Sequence, residues 1–352
     1  MRIAMLAPIA WRTPPRRYGP WELVTSLLTE ALIARGVDVT LFASLNSITS
    51  AKLDGVVPAP YNDDPSIDAK VWEYRHLAHL FEQADRFDLI HNQADFPAHA
   101  FSKLISTPIV TTIHGFSSDR ILPMYAPYQD RVHFVAISEA DRHPKLRYAR
   151  TIHHGIALND FPFDPVGSAD LLFFGRIHPD KGAAEAIAAA RATGRRLDLY
   201  GIIQDQAYFD RFVRPELDGT TICYHGPVGG ASRTRALGRA RALLHLVNFD
   251  EPFGLSVVEA MACGTPVIAT RRGSMPELVT HGVTGFLVDS FDEAVQAIGR
   301  IEELDRPLVR KSVSEHFTVE RMADEYITLY KEILGAGGPS GSGGRRHEPV
   351  RH

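Results

Sequence analysis

Two glutamates, Glu251 and Glu259, stand eight positions apart. Pro252 and Gly254 mark a turn between them, and a stretch rich in helix formers follows. A helix that starts near Gly254 leaves the N–H groups of Phe253, Gly254 and Leu255 without helical partners, with Ser256 in the same turn. Together with the helix dipole these amides make an anion site suited to a diphosphate. A carboxylate accepts hydrogen bonds from two adjacent hydroxyls. Glu251, on the loop, is then placed to hold a sugar's hydroxyls on one side of the phosphates. Glu259, inside the helix, is placed to hold a ribose diol on the other. A bare pair of glutamates at this spacing is ordinarily surface charge; the loop-to-helix context favours the site.

Other residues converge on the same chemistry. A strand-like run ends at Gly175, and Arg176 and Lys181 flank the loop that leads into the next helix. Two cations there can neutralise a diphosphate, the arginine bidentately. His114 closes the run 109–114 just before Gly115. In open α/β sheets ligands bind beyond the carboxyl ends of strands, which favours a cleft role for this one of 16 histidines. The tract 224–228 also ends a strand, and the backbone of Gly226 and Val228 is placed to meet a nucleotide base. Asp95 reads as a helix N-cap, and His153 and His154 as packing residues. Arg12, Arg16 and Arg17 either grip an anionic acceptor or form a solvated basic loop. Neither D-x-D nor H-E-x-x-H occurs, so no metal ligand is assigned and no metal or other cofactor is expected.

Elements that can position these residues follow from hydrophobic patterning. Strand-like runs at 2–7, 37–43, 89–92, 109–114, 134–138 and 150–154 alternate with helical stretches at 21–35, 68–83 and 94–105. Several runs are continuously apolar, as in parallel strands buried on both faces. A Pro-rich linker at 161–165 interrupts the pattern, which then restarts. Strands at 171–175, 197–201, 221–224, 243–247, 266–269 and 285–288 alternate with helices at 183–193, 208–217, 232–240, 254–262 and 292–303. The rhythm predicts an α/β protein of two Rossmann-like, doubly wound domains. They span 1–160 and 166–317, with a final helix at 318–335 joining the first domain and a disordered tail at 337–352.

The run from Asp250 resembles the E-x7-E signature of the retaining glycosyltransferases of family 4. The likeness continues through residues 265–270, Gly273, 276–279 and 282–288. Residues 173–182 resemble the family's G-R-x(4)-K-G segment, and Thr111 to Gly115 its T-x-H-G. The resemblance implies a GT-B fold, two Rossmann-like domains facing a cleft. It implies that Arg176 and Lys181 stabilise the departing nucleoside diphosphate and that His114 contacts the donor sugar. Tyr18, Gly19 and Glu22, with Arg17 beside them, fall where the family carries a glycine-rich loop that approaches phosphates or acceptor. Here Pro20 replaces the second glycine; it lacks an N–H but suits a first helical position.

The expected activity is metal-independent transfer of a hexose, with retention, from a nucleotide diphosphate sugar to a hydroxyl, giving an α linkage. UDP-glucose or another UDP-sugar is the expected donor, and GDP-mannose the alternative. The acceptor is a small molecule or glycan. A nucleotide-sugar epimerase on the same scaffold and a silent sugar-nucleotide binding module are the other readings. Composition narrows the partners: 38 Lys plus Arg against 42 Asp plus Glu give a net charge of −4, a poor footprint for nucleic acid. Two cysteines, Cys223 and Cys263, build neither a disulfide scaffold nor a cysteine zinc site and read as buried hydrophobes. No apolar run is long enough for an integral membrane segment, and no signal peptide is read at the start. The expectation is a cytoplasmic enzyme, with peripheral contact to a membrane surface left open.

Overall fold

The computed structural model describes residues 1–16, 19–64, 66–115 and 118–336. In the first half, aliphatic runs form β1 (Arg2–Leu6), β2 (Asp38–Phe42), β3 (Lys52–Asp54), β4 (Leu89–Asn92), β5 (Ile109–Ile113), β6 (Val132–Ala136) and β7 (Tyr148–Thr151). They pair in parallel in the order β3-β2-β1-β4-β5-β6-β7. The second half holds β8 (Leu171–Phe174), β9 (Leu197–Tyr200), β10 (Ile222–Tyr224), β11 (Ala242–His245), β12 (Val267–Thr270) and β13 (Gly285–Val288). Their parallel order, β10-β9-β8-β11-β12-β13, is that of a doubly wound sheet. Each sheet is covered by apolar cores on both faces, which is why its strands read as unbroken hydrophobic runs.

Three helical expectations change. The stretch 94–105 holds only a 3-10 turn, Phe96–Phe101. Pro97 has no N–H for an α-helical ladder, and Asp95 before it sits at φ 63°. The stretch 208–217 splits into a short helix Gln206–Tyr208, a π-helical turn Phe209–Val213 and a 3-10 turn Arg214–Glu216 that contains Pro215. The stretch 292–303 ends its α-helix at Gly299 and finishes as the 3-10 turn Ile301–Glu303. Among the elements outside the sequence expectation are a short edge strand and a full helix. β3 is a three-residue edge strand, and helix Arg306–His316 buries only Arg306, Val309 and Val313. Neither offers enough apolar period to be seen. The tail expected at 337–352 lies outside the described residues.

After helix Arg306–His316 the chain crosses back. Ile156 N–H donates to Phe317 O, and Val319 N–H donates to Ile156 O. The last helix, Val319–Ala336, then buries Met322, Tyr326, Leu329 and Tyr330 against Val24, Leu28 and Val39 of the first half. The halves also touch along the cleft. The Glu277 carboxylate accepts from Glu139 N, Ala140 N and His153 Nε2 at 2.9, 2.9 and 2.8 Å. Burial opposes its charge, but these donors prevail and lower its pKa. Ser138 Oγ donates to Pro252 O at 2.7 Å.

Arg306 fixes the linker. Its guanidinium, 6% exposed, donates to Asp164 O, Ala240 O, Gly238 O and Thr265 Oγ1. Arg306→Met leaves those acceptors unpaired and is expected to lower stability by about 3 kcal/mol, read from urea unfolding. A loss below about 1 kcal/mol contradicts this role.

Candidate active site

A cleft of about 1040 Å³ lies between the two sheets, lined from both halves. Its walls are the loops at the carboxyl ends of the strands. In the second half, Gly254 caps helix Leu255–Ala262 with φ 95° and ψ 59°. A side chain there would be strained, and its Cβ would stand 2.8 Å from Met275 Cε. At Gly273 the constraint is close approach, since a Cβ would meet the backbone N and O of Glu251 at 2.4 Å. The absent side chain lets the loop after β12 clamp the Glu251 backbone, with Ser274 N–H donating to Glu251 O at 2.9 Å.

So held, Glu251 turns its carboxylate to Lys181, with Nζ 2.5 Å from Oε2. His245 Nε2 stands 3.5 Å from the same oxygen, beyond hydrogen-bond geometry, and has no other partner. Burial works against the charge, but the facing His245 and Lys181 outweigh it and hold the carboxyl at about 2. Glu251 is therefore anionic across the physiological range. Lys181 also lies 4.5 Å from the centre of the Phe249 ring. Leu255 and Ser256 form the first turn of the helix and line the cleft. Phe253 lines the cleft too, though it is only 3% exposed, and its ring packs against His154 at 5.0 Å.

Glu259, on the same helix, is 1% exposed and paired with Arg233 Nη2. Burial raises its pKa and Arg233 opposes the rise. Arg176 lines the cleft and hydrogen-bonds Gln204 Oε1. Val228 lines it too, but Gly226 does not: its carbonyl is committed to Gly201 N–H at 3.1 Å.

The first half supplies the facing wall. His114 Nε2 lies 2.7 Å from Gln93 Oε1, and Nδ1 lies 3.3 Å from His154 Nε2. Trp21 stacks on its ring at 5.2 Å and 19°. Burial and the neighbouring His91 push its pKa to about 3, so the ring is neutral and a weak base. Pro20 opens helix Pro20–Ala34, with Gly19 as N-cap. Glu22 is buried, and its Oε1 accepts from Trp11 N–H at 3.1 Å. Burial raises its pKa against that bond. Arg12 and Arg16 both reach the cleft, and Arg12 Nε donates to Pro14 O at 3.0 Å. Arg17 and Tyr18 lie outside the described residues.

Beside Gly226, two more expectations are corrected. Asp95 does not cap a helix: it makes no side-chain capping bond, and its carboxylate accepts from the Tyr125 hydroxyl. Its backbone sits at φ 63°, outside the extended conformation usual for an N-cap. His154 does more than pack, because it lines the cleft and meets His114. Sequence reasoning missed Arg233, His245 and Gln93. Arg233 is one of several arginines in 233–241 with nothing to distinguish it. Gln93 and His245 did carry a signal, their place at strand ends. Among the described residues no group of three His, Cys, Asp or Glu could hold a metal ion, and no helix is long and apolar enough to cross a membrane.

Two parallel sheets whose carboxyl ends face one cleft, with acids and cations on the intervening loops, define the GT-B class. A family model described as Glycosyltransferase Family 4 matches residues 22–159, and one described as Glycosyl transferases group 1 matches residues 161–315. The chain belongs to the group 1 glycosyltransferases of family 4. It is 41% identical over 101 residues to the N-acetyl-alpha-D-glucosaminyl L-malate synthase of Bacillus anthracis, 26% of each chain. The matched stretches cover 26%, 22% and 44% of the first three curated relatives, less than half of their lengths. AviGT4, a glycosyltransferase involved in avilamycin A biosynthesis, superposes with TM-score 0.70 and 25% identity, over 96% of this chain and 99% of that one. HepE of Anabaena, in complex with UDP and glucose, superposes with TM-score 0.72 and 20% identity, over 96% and 100%.

The Lys181–Glu251 pair gives a signed prediction. Glu251 is depressed from 4.5 to about 2, so its contribution to stability is present above about 4.5 and lost as pH falls through about 2. Lys181→Met is expected to cost about 2 kcal/mol at pH 7, with the deficit shrinking below pH ~4.5 in urea titrations. A deficit that stays constant with pH contradicts the pairing.

Proposed function

We propose that this chain transfers a hexose, glucose from UDP-glucose, to a hydroxyl acceptor with retention and without a metal. The observation that carries the reading is Glu251. It is a largely buried carboxylate held charged by His245 and Lys181, one turn before helix Leu255–Ala262 and facing the other half across the cleft. The amides of Leu255 and Ser256 receive the diphosphate at the positive end of the helix. Lys181 and Arg176 supply cations whose worth rises as the nucleoside diphosphate departs. Glu251 takes sugar hydroxyls, and Glu259 takes the ribose diol in exchange for its bond to Arg233. Val228 and the backbone beside it border the base. The choice of UDP is supported by HepE, the fold neighbour bound to UDP.

In this reading the acceptor oxygen bonds the anomeric carbon on the face from which the phosphate leaves. The acceptor proton passes to the departing phosphate oxygen, so no protein base is needed. A His114 ring held neutral with a pKa near 3 agrees with that economy and disfavours an epimerase that needs proton shuttles around the sugar.

Two measurements test the proposal. Calorimetry with UDP-, GDP-, ADP- and dTDP-sugars should show binding strongest for UDP-glucose; a GDP-sugar bound more tightly contradicts the donor assignment. Glu251→Gln should cut UDP release with a panel of hydroxyl acceptors by about 100-fold or more, while its circular dichroism spectrum stays that of the folded chain. Full activity in that variant sinks the assignment.

A further inference from the structure

A buried hydrogen-bond chain joins the C-terminal helix to the cleft. The Tyr326 hydroxyl lies 2.7 Å from Thr112 Oγ1, which lies 2.8 Å from His91 Nε2. The Tyr330 hydroxyl lies 2.5 Å from His91 Nδ1. Gln93 Nε2 is 3.0 Å from His91 Nε2, and Gln93 Oε1 is 2.7 Å from His114 Nε2. His91, Gln93 and Tyr330 are 0% exposed, Thr112 1% and Tyr326 2%, so water does not compete for these bonds.

The protons along this chain can be assigned. An amide oxygen only accepts, so His114 Nε2 carries the hydrogen. With the Gln93 nitrogen turned to His91 it can only donate, so His91 Nε2 is bare, and its single lone pair is shared by the Gln93 amide and the Thr112 hydroxyl. Thr112 in turn accepts from Tyr326. Burial pushes His91 to about 3, so the ring is neutral and its one hydrogen sits on Nδ1, donated to the Tyr330 oxygen. His114 is neutral as well, which leaves its Nδ1 a lone-pair acceptor. The partner there, His154 Nε2 at 3.3 Å, is distant for such a bond. His114 shares the cleft with Glu251, and Gly115 beside it would bring a Cβ within 3.1 Å of Pro252 Cγ.

We propose that Gln93 is a positioning residue. Anchored through His91 to Tyr330 of the last helix, it fixes His114 as the Nε2–H tautomer and presents Nδ1 as an acceptor to a hydroxyl of the sugar seated on Glu251. This rests on the proposed transferase reading. It explains why the chain's end returns to the first half: the last helix completes the orientation of a cleft histidine. It also makes the sugar position facing His114 selective for a group that donates a hydrogen bond.

Nitrogen-15 NMR of the imidazoles in the full chain tests it, with no donor needed. His114 should carry its hydrogen on Nε2 in the natural protein. In Gln93→Leu the Nε2–H form should give way to a mixture of tautomers. Gln93→Glu, which keeps an accepting oxygen, should retain it even if its stability differs. In UDP-glucose turnover, Gln93→Leu should lower kcat about tenfold with KM changed less than about threefold. An Nδ1–H form in the natural protein, or unchanged tautomer and kcat in Gln93→Leu, overturns the proposal. If the tautomers behave as stated but the natural chain turns over no sugar nucleotide, the relay stands and the transferase reading falls.

Discussion

A parallel sheet has one end where all its strands deliver their carboxyl termini, and this constraint organises the molecule. The functional side chains of the cleft sit on loops leaving that end, or on the helices that follow. Gln93 follows β4, His114 follows β5, Arg176 and Lys181 follow β8, and Glu251 follows β11. β1 with β4, and β8 with β11, are the neighbours at which strand order reverses in each sheet. Successive crossover helices diverge there and leave a crevice. The cleft is therefore a consequence of chain topology. What the residues add is the polarity of the loops that line it.

Those loops put charge and hydrogen-bonding groups where water is scarce, and the structure meets the cost in different ways. Glu251 stays ionised because His245 and Lys181 face it. Glu259 is deeper, and its charge is opposed by burial even with Arg233 in contact. The histidines take a third course and remain neutral: burial depresses His91, His114 and His154. A buried neutral ring keeps one donor and one acceptor, and its partners decide which nitrogen is which. The cleft thus contains paired ions and neutral, hydrogen-bonded rings.

Much of this was legible in the residues. Strands buried on both faces announce themselves as continuous apolar runs, so both sheets could be read with small errors at strand ends, except for the short, half-exposed edge strand β3. The signature from Glu251 to Glu259 was legible because turn, helix start and carboxylates fall in one local segment. Legibility failed where the determinant was not local. Arg233 matters only because its helix lies beside that of Glu259. Gln93 matters only because β4 and β5 are neighbours and the last helix crosses over them. Asp95 looked like a cap because acid residues before helices usually are; its positive φ and the Tyr125 hydroxyl decide otherwise. Prolines 97 and 215 were visible but were outweighed by the apolar pattern around them, and they broke both helices.

In the proposed function the cleft receives a nucleotide diphosphate sugar across the start of helix Leu255–Ala262. A crystal structure of the chain with UDP bound tests it most directly. The account predicts the diphosphate on the backbone N–H groups of Leu255 and Ser256. It predicts the ribose hydroxyls on Glu259, with Arg233 displaced from that carboxylate. Nucleotide bound elsewhere, or ribose held away from an intact Arg233–Glu259 pair, would contradict it.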